Sequence, residues 1–287
     1  MTTPKMFAAV ALGLLLGVPG PVKAQFNFTT IDVPGSTSTA VNGNSPHAIA
    51  GEFDDANGDT HGFVLDNGKL TTIDHPDAAG YTTVNGINAN GELAGIYHDG
   101  HRFHGYFLSK CKFTTLDPPG SIRSVAFFLN AQGQVVGTYR SADNRRHGFL
   151  FSKGEFTTID HPDSTAPFGT SVIGINDHGE VAGTFVDADG DRHGFVLSKG
   201  VFTTIDVPDS LLTVCQGIND AGQIGGQFVD ADGNALGFVL SKGVFTTIDV
   251  PGSTATAVFS INAQGEIVGS FDDADGVTHG YVGTPAH

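Results

Sequence analysis

The chain has 287 residues, of which 40 are glycine and none is tryptophan, and its formal net charge is −16. This acidity disfavours nucleic acid and anionic lipid surfaces as partners. The glycines follow no Gly-X-Y period, which excludes a collagen-like fibre and indicates many tight turns.

The first predicted element is a secretory signal peptide at residues 1–24. Lys5 supplies a positive charge, and the apolar run at 7–18 is too short to span a bilayer as a helix. Val22-Lys23-Ala24 resembles a signal cleavage site. We therefore predict a mature chain of residues 25–287, secreted to the periplasm or outside the cell, without a membrane-spanning segment. Loss of Lys5 and Lys23 would take its charge from −16 to −18.

The mature chain consists of an internal repeat. A strand-like segment, Phe/Leu-Thr-Thr-Ile/Leu-Asp, begins at residues 28, 70, 113, 156, 202 and 245, and each period holds four strand-like segments, a to d. Four short strands in roughly 40–45 residues are typical of a β-propeller blade. The lone d segment at 28–32 complements the lone a-b-c set at 256–283. We predict an all-β, six-bladed β-propeller with four antiparallel strands per blade. It forms a single domain over 25–287, and the N-terminal strand closes the last blade.

Strands c and d form predicted hairpins in which a histidine faces an aspartate. In the repeat at 193–206 the hairpin turns at Lys199-Gly200, which places His193 opposite Asp206. The other pairs are His61 with Asp74, His104 with Asp117, and His147 with Asp160. Leu236 replaces the histidine opposite Asp249, and His279 has no downstream partner. Because an active site needs one such pair rather than many, we interpret the pairs as structural.

The repeat motif resembles a known family. Gly-Ile-Asn-x-x-Gly-Glu/Gln-Ile/Val-x-Gly, followed by Asp-Ala-Asp-Gly-x-x-His-Gly-Phe, is similar to the bacterial extracellular repeat family named for its His-Ala-Phe (HAF) tripeptide. The best matches are residues 174–195 and 260–281, with glycine in place of the tripeptide's alanine. The resemblance covers essentially the whole mature chain. It implies secretion and a repeat architecture, and it assigns no catalytic residue.

The acidic loops between strands b and c are candidate metal sites. Asp187, Asp189 and Asp191 present carboxylates at alternate positions, a spacing that can surround Ca²⁺. The distal bidentate glutamate of an EF-hand is missing, and Asp-Gly is also an ordinary turn signal. A weak calcium site and a plain turn both stay open, and calcium is the one possible cofactor that the sequence suggests.

Arginine is distributed unevenly along the chain. Five of the six arginines fall in repeats 2 and 3, mostly in predicted loops of one face: Arg102, Arg123, Arg140, Arg145 and Arg146. The same sector contains His75, Tyr81, His98 and His101. Guanidinium groups bind carboxylate, sulfate or phosphate bidentately, whereas surface ion pairs are the alternative interpretation. We expect Arg123, near the start of a strand that lines the channel, to contribute most, and the loop-tip residues Arg145 and Arg146 to contribute less.

Three functions stay open. The favoured one is a monomeric, secreted propeller that binds an anionic small molecule or an acidic glycan on the face of blades 2 and 3. The second is a polysaccharide lyase or hydrolase with His75, His98 or His101 as the base and Arg123 as the carboxylate clamp. The third is a surface interaction scaffold. The sequence contains no hydrolase, zinc-protease or nucleotide-binding motif, so the catalytic residues of an enzyme stay unknown.

Overall fold

The computed structural model describes residues 22–23 and 26–286. The predicted signal peptide therefore lies outside the described residues, except for Val22 and Lys23. The described elements form six antiparallel blades of four strands each, as predicted, so the all-β, six-bladed propeller is confirmed. In this part of the chain no helix has the length and apolarity that crossing a membrane requires.

The strands follow the predicted order a to d within each blade. The chain begins with β1 (Val22–Lys23) and β2 (Phe26–Ile31). Blade 1 consists of β3 (Ser38–Asn44), β4 (Ala48–Asp54), β5 (Thr60–Asp66) and β6 (Lys69–Ile73). Blade 2 consists of β7 (Thr82–Ile87), β8 (Leu93–His98), β9 (Phe103–Ser109) and β10 (Lys112–Leu116). Blade 3 consists of β11 (Ser121–Leu129), β12 (Val135–Ser141), β13 (Arg146–Ser152) and β14 (Glu155–Ile159).

The second half of the ring repeats this order. Blade 4 consists of β15 (Thr170–Ile175), β16 (Val181–Val186), β17 (Arg192–Ser198) and β18 (Val201–Ile205). Blade 5 consists of β19 (Leu212–Ile218), β20 (Ile224–Val229), β21 (Ala235–Ser241) and β22 (Val244–Ile248). Blade 6 consists of β23 (Ala255–Ile261), β24 (Ile267–Asp272) and β25 (Thr278–Pro285). The first strand of each blade contacts the first strands of both neighbours, so these six strands line the central channel.

The N-terminal strand closes the ring. β2 pairs antiparallel with β25 from Phe26 opposite Pro285 to Ile31 opposite Gly280, and it supplies the fourth strand of blade 6. A departure from the prediction is β1, which pairs in parallel with β22 and gives blade 5 a fifth, two-residue strand. Closure covers the strand edge that blade 6 would otherwise expose.

Each blade has a glycine on its second strand and an aromatic ring on its third. In blade 3 a Cβ on Gly137 would overlap the carbonyl oxygen of Val125 and the ring of Phe149. The six equivalent rings are the largest fully buried side chains: Phe63, Tyr106, Phe149, Phe195, Phe238 and Tyr281. Burying such a ring stabilises the fold by about 1.5–3 kcal/mol, which explains why the strand before it must carry no side chain there.

The glycine of the His-Gly-Phe motif sets the distance between blades. A Cβ on Gly148 would overlap Val172 on the innermost strand of blade 4. The same close approach recurs where Gly194 meets Cys215 and where Gly280 meets Val41. The three residues of the motif therefore have three structural roles. The histidine pairs with an aspartate of the next strand, a contact that we call a tie. The glycine allows the close approach between blades, and the aromatic residue supplies the core ring.

Asparagines join the blades at the bottom of the ring, the end that carries the a-to-b and c-to-d turns. Asn88 Oδ1 accepts the backbone N–H groups of Asn90 and Glu92, and its Nδ2 donates to the carbonyl oxygen of Asn130 in the next blade at 2.9 Å. The contact recurs around the ring, and Asn44 Nδ2 closes it by donating to the carbonyl oxygen of Glu266 at 3.0 Å. With the bottom turns used for structure, variation is left to the opposite end, which we call the top face.

Candidate anion-binding site

The predicted histidine–aspartate pairs form at the top of the blades. Nδ1 of His193 lies 2.9 Å from Asp206, and the three other predicted pairs have distances of 2.8 to 2.9 Å. His279 pairs with Asp32 of the N-terminal strand, also at 2.9 Å, so a tie spans the two ends of the chain.

The sequence did not reveal a second carboxylate beside most of these histidines. His193 Nε2 lies 3.4 Å from Asp187, and His279 Nε2 lies 3.2 Å from Asp273. Each histidine also stacks on an aromatic ring of the preceding strand, such as Phe185 beside His193 with centroids 5.2 Å apart. Both ring nitrogens and one face of the ring are therefore occupied by the protein, which supports a structural role for these pairs.

The acidic loops are built as turns. Asp187 Oδ1 accepts the backbone N–H groups of Asp189 and Asp191 at 3.0 and 2.9 Å, while its Oδ2 contacts His193. Within residues 22–23 and 26–286, no group of three or more His, Cys, Asp or Glu side chains is arranged to hold a metal ion. The structure thus does not gather the three predicted calcium ligands into one site.

Three arginines lie side by side across blade 3. Arg123 on β11 is the register partner of Arg140 on β12, and Arg140 is the partner of Arg146 on β13. Residues directly opposite each other in antiparallel strands point to the same face of the sheet. These residues, which we call the arginine row, therefore leave the sheet on the same face, from which Arg146 reaches Ser171 of blade 4 and Arg123 reaches Phe103 of blade 2. Arg140 and Arg146 lie in strands, not in the loops where the sequence placed them.

The arginine row lines a cavity of about 170 Å³ between blades 3 and 4, here called the arginine cavity. Val125, Phe127 and Thr138 form its floor on blade 3, and Ser171 closes it from blade 4. Polar and charged groups thus surround a small space at the top of the ring, which suits a compact polar ligand group.

The guanidinium groups in this cavity have few protein partners. Arg140 Nη1 donates to the backbone carbonyl and side-chain oxygens of Asn144 at 2.8 and 3.1 Å, and Arg146 Nη1 donates to Ser171 Oγ at 3.4 Å. Arg123 lies over the ring of Phe103, 4.7 Å from its centroid. Within the described residues, none of the three forms an ion pair with a carboxylate, although the protein carries a formal charge of −16.

Burial and like charge act on Arg146. Desolvation, followed by the positive charges of Arg140, Arg192 and Arg123, lowers the pKa of its guanidinium. The guanidinium nevertheless stays charged at neutral pH, because its ordinary pKa is above about 12. The fold therefore holds several positive charges close together without a neutralising acid. The predicted placement of Arg146 at a loop tip is wrong, because this residue begins β13 and lines the cavity.

Two other predicted arginines lie outside the cavity. Arg102 Nη2 donates to Asp117 at 2.8 Å and its Nη1 donates to the carbonyl oxygen of Ser121, so it reinforces the tie of His104. Arg145 does not line the cavity, and its buried Nε has no partner in the described residues. Arg102 and Arg145 stand two positions before a tie histidine, whereas Arg146 stands one position before. Side chains alternate between faces along a strand, so only Arg146 turns to the cavity face.

The three histidines proposed as bases do not line the cavity. His75 is only 5% exposed and stacks on Tyr97 with centroids 3.6 Å apart. His161 makes the same stack on Phe185 in blade 4, so this arrangement belongs to the core of both blades. Burial lowers the pKa of His75, and its Nδ1 accepts the backbone N–H of Asp77.

His98 and His101 lie in or beside the loop after β8. His98 Nδ1 accepts the backbone N–H of Gly100 at 3.1 Å, and its ring packs edge-on against Phe103. His101 is exposed. Neither lines the arginine cavity or the cavity beside it. The sequence-based proposal of a histidine base beside Arg123 therefore has no support in the geometry.

A second cavity of about 240 Å³ adjoins the first at the top of the channel, and we call it the central cavity. Val125 and Phe127 line both cavities. Tyr81, a predicted site residue, lies in the central cavity and packs edge-on against Phe103, the ring under Arg123. Burial, with a smaller effect of nearby carboxylates, raises the pKa of Tyr81 to about 12, so its hydroxyl stays protonated at neutral pH.

Sequence reasoning missed Glu52, the carboxyl group of the central cavity. Asn42 Nδ2 approaches its Oε2 at 3.4 Å. Burial raises the pKa of Glu52 to about 6, and the Asp54 charge adds to the shift. Aligning the six repeats would have revealed Glu52, because it is the one charged residue at its position. The equivalent residues after the second-strand glycine are Ile96, Thr138, Thr184, Gln227 and Ser270.

The fold is shared with solved propellers, while sequence comparisons give no relative. No known protein family matches the chain, and no curated protein matches it in sequence. An inactive variant of virginiamycin B lyase from Staphylococcus aureus, solved with quinupristin, is 12% identical, with a TM-score of 0.53 over 90% of this chain and 99% of that one.

Two further neighbours have different functions on the same architecture. The Aleuria aurantia lectin, in complex with α-methyl-L-fucoside, is 12% identical, with a TM-score of 0.53 over 88% of this chain and 93% of that one. A gluconolactonase from Xanthomonas campestris is 10% identical, with a TM-score of 0.53 over 95% of this chain and 99% of that one. These likenesses show the propeller fold alone, because one fold carries many functions.

Proposed function

We propose that this protein is a secreted propeller that binds an organic anion in the arginine cavity. The observation that carries the proposal is the arginine row itself: three arginines of neighbouring strands whose side chains line one cavity and have no carboxylate partner in the described residues. Crowded positive charges cost free energy in the free protein, and a bound anion would remove that cost.

The chemistry of the cavity favours a carboxylate or a sulfate group. Nη2 and Nε of Arg140 have no protein partner in the described residues, so they are available for a bidentate contact. One hydrogen bond between charged groups contributes about 1.5–3 kcal/mol, which corresponds to roughly 10- to 150-fold in affinity.

The secreted context and the fold neighbours support a ligand derived from sugars. The predicted signal peptide would place the protein where free sugars and glycans are encountered. Its neighbours include a lectin solved with a fucoside and a gluconolactonase, both of which bind sugar-type ligands. A carboxylate-bearing or sulfated sugar combines this class with the charge of the arginine row. We propose that the protein acts as a monomer, because one blade supplies the whole row.

Calorimetric titration of the mature protein with sodium glucuronate, sodium sulfate and sodium acetate tests the proposal. We expect glucuronate and sulfate to bind, and Arg140→Ala to weaken both at least tenfold. Lys112→Ala removes the same charge from an exposed position on the outer strand of blade 2 and should leave both affinities unchanged. Equal losses in the two variants would mean that only the overall charge matters, and the arginine cavity would be rejected.

A further inference from the structure

The central cavity has the composition of a site for a single sugar ring. Its lining combines hydrogen-bonding groups from Glu52, Tyr81 and Gln216 with the apolar surfaces of Phe127 and Phe259. A sugar ring has hydroxyl groups at its rim and C–H groups on its faces. The arrangement therefore offers a partner to each kind of surface.

Several polar atoms in this cavity have no protein partner. Neither the Gln216 amide nor the Tyr81 hydroxyl makes a hydrogen bond within the described residues, and Glu52 is approached only by Asn42, at 3.4 Å. By contrast, Asn85 donates to the carbonyl oxygen of Ala126 at 2.8 Å and serves the fold. Three hydrogen-bonding groups of different chemistry thus remain for a ligand.

The volume limits the ligand to one ring. The central cavity of about 240 Å³ equals about eight water molecules at about 30 Å³ each. It is smaller than the roughly 300 Å³ at which pockets for drug-sized ligands begin. Since Val125 and Phe127 line both cavities, one molecule can occupy both.

We infer that the ligand is a monosaccharide acid, whose acidic group contacts the arginine row while its ring fills the central cavity and hydrogen-bonds to Glu52, Tyr81 and Gln216. This inference rests on the proposed anion binding and adds the class of ligand and the second half of the site. Arg123, whose side chain lies over Phe103 beside Tyr81, stands between the two halves.

Glu52 gives the inferred complex a proton signature. The titratable groups nearest to it are Asp54 on its own strand and Tyr81 in the cavity. The adjoining strands β3 and β7 carry no titratable residue. On the other neighbouring strand, β5, His61 lies on the face of the sheet opposite to Glu52, and Asp66 lies at the far end of the strand. A bound anion expels water and adds negative charge, and both effects disfavour the ionised carboxylate. Binding at pH 6.5 should therefore take up a proton at Glu52.

The test is calorimetry with sodium glucuronate in two buffers of different ionisation enthalpy, with sodium acetate as a probe of the arginine cavity alone. We expect wild-type protein to bind glucuronate at least tenfold more tightly than acetate and to take up protons with glucuronate. Glu52→Gln should abolish the proton uptake and weaken the binding of glucuronate at least threefold, while the affinity for acetate stays unchanged. Glu155→Gln, an exposed change on the outer strand of blade 3, is the matched control.

Gln216→Leu supplies a second test that leaves Glu52 intact. This substitution keeps the approximate volume of the side chain and removes its amide. The affinity for glucuronate should therefore fall at least threefold, while the affinity for acetate stays unchanged. If acetate binds as well as glucuronate, or if Glu52→Gln changes neither the affinity nor the proton uptake, the ring site is wrong. If the ring site is wrong but Arg140→Ala still weakens the binding of glucuronate, the proposed anion site remains valid without the ring site. If Arg140→Ala also has no effect, both proposals fall.

Discussion

Blades 3 and 6 carry different side chains in the same row of the same scaffold. In blade 6 the row contains Asp272 opposite Thr278, and the threonine hydroxyl donates to the aspartate at 2.7 Å. Blade 1 repeats this pair as Thr60 and Asp54, also at 2.7 Å. Two blades therefore satisfy the row internally.

Blade 3 places Arg140 and Arg146 at the two equivalent positions, with Arg123 beside them on the innermost strand. Its own Asp160 is held by His147, as Asp32 is held by His279 in blade 6. The elements that hold a blade together are thus unchanged, while the row of blade 3 has two arginines where blade 6 has an aspartate and a threonine. The fold and the candidate site therefore use different positions of the repeat.

The largest effect should come from the connectivity that distinguishes blade 6. Deleting residues 1–32 removes β2 and the partner of His279, and leaves blade 6 with three strands. We expect the free energy of unfolding to fall by more than about 4 kcal/mol, since the partly buried rings of Phe26 and Phe28 are lost together with a strand ladder. Denaturant unfolding measures this, against the chain that lacks only residues 1–24. Equal stability of the two chains would show that the ring does not depend on β2.

The second prediction exchanges the row of blade 3 for that of blade 6. Arg140→Asp combined with Arg146→Thr should weaken glucuronate and sulfate at least a hundredfold, about 2.7 kcal/mol. The melting temperature should be unchanged or higher, because repulsion among like charges is removed. Calorimetry and thermal melting report the two effects. A protein that unfolds on this exchange would show that the arginines hold blade 3 together.

The third prediction concerns Glu52, the carboxyl group two positions before Asp54 of the blade 1 row. Burial raises its folded-state pKa from 4.5 to about 6. The free energy of unfolding therefore falls as pH rises through this range, and it remains lower at higher pH. Glu52→Gln should raise the free energy of unfolding by up to about 2 kcal/mol at pH 8 and by nothing at pH 4. The exposed change Glu155→Gln should show no such pH dependence. A gain that is the same at both pH values would contradict the assignment.

The smallest effect concerns the ties that all but blade 5 share. The hydrogen bond to Asp32 is the largest cause that raises the folded-state pKa of His279, with Asp273 adding to it. Its stabilisation is therefore complete below an unfolded pKa of about 6.5 and declines as pH rises through the folded value. His279→Leu, which copies Leu236 of blade 5, should cost about 1 kcal/mol at pH 5.5 and less at pH 9. Denaturant unfolding at the two pH values tests this, and a larger cost at pH 9 would overturn it.

Much of the fold was predictable because the turn and strand residues of each repeat predict its local structure. The turn Lys199-Gly200 predicted the hairpin that brings His193 to Asp206, and the structure has that contact. The lone strand ending at Asp32 predicted closure of blade 6. The additional two-residue strand β1 was not predicted, since a segment so short has no pattern of its own.

The candidate site was predicted only in part. Arg123 and Arg140 were identified from their uneven distribution, together with Arg102 and Arg145, which do not line the arginine cavity. Counting positions before each tie histidine would have separated Arg102 from Arg146, because alternate residues of a strand face opposite sides. Glu52 was overlooked because a single carboxyl in an acidic chain has no distinctive spacing.

The number of blades, the order of strands, the ties and the closure of the ring could all be read from the amino-acid sequence. All of these follow from pairing between segments that are adjacent in the chain or complementary at its ends. The contact of Ser171 in blade 4 with Arg146 in blade 3, and the cavity that Glu52 shares with Gln216 of blade 5, are visible only in the folded ring. Both contacts cross from one blade to another. They depend on how closely neighbouring sheets approach and how their channel strands converge, which no single repeat encodes.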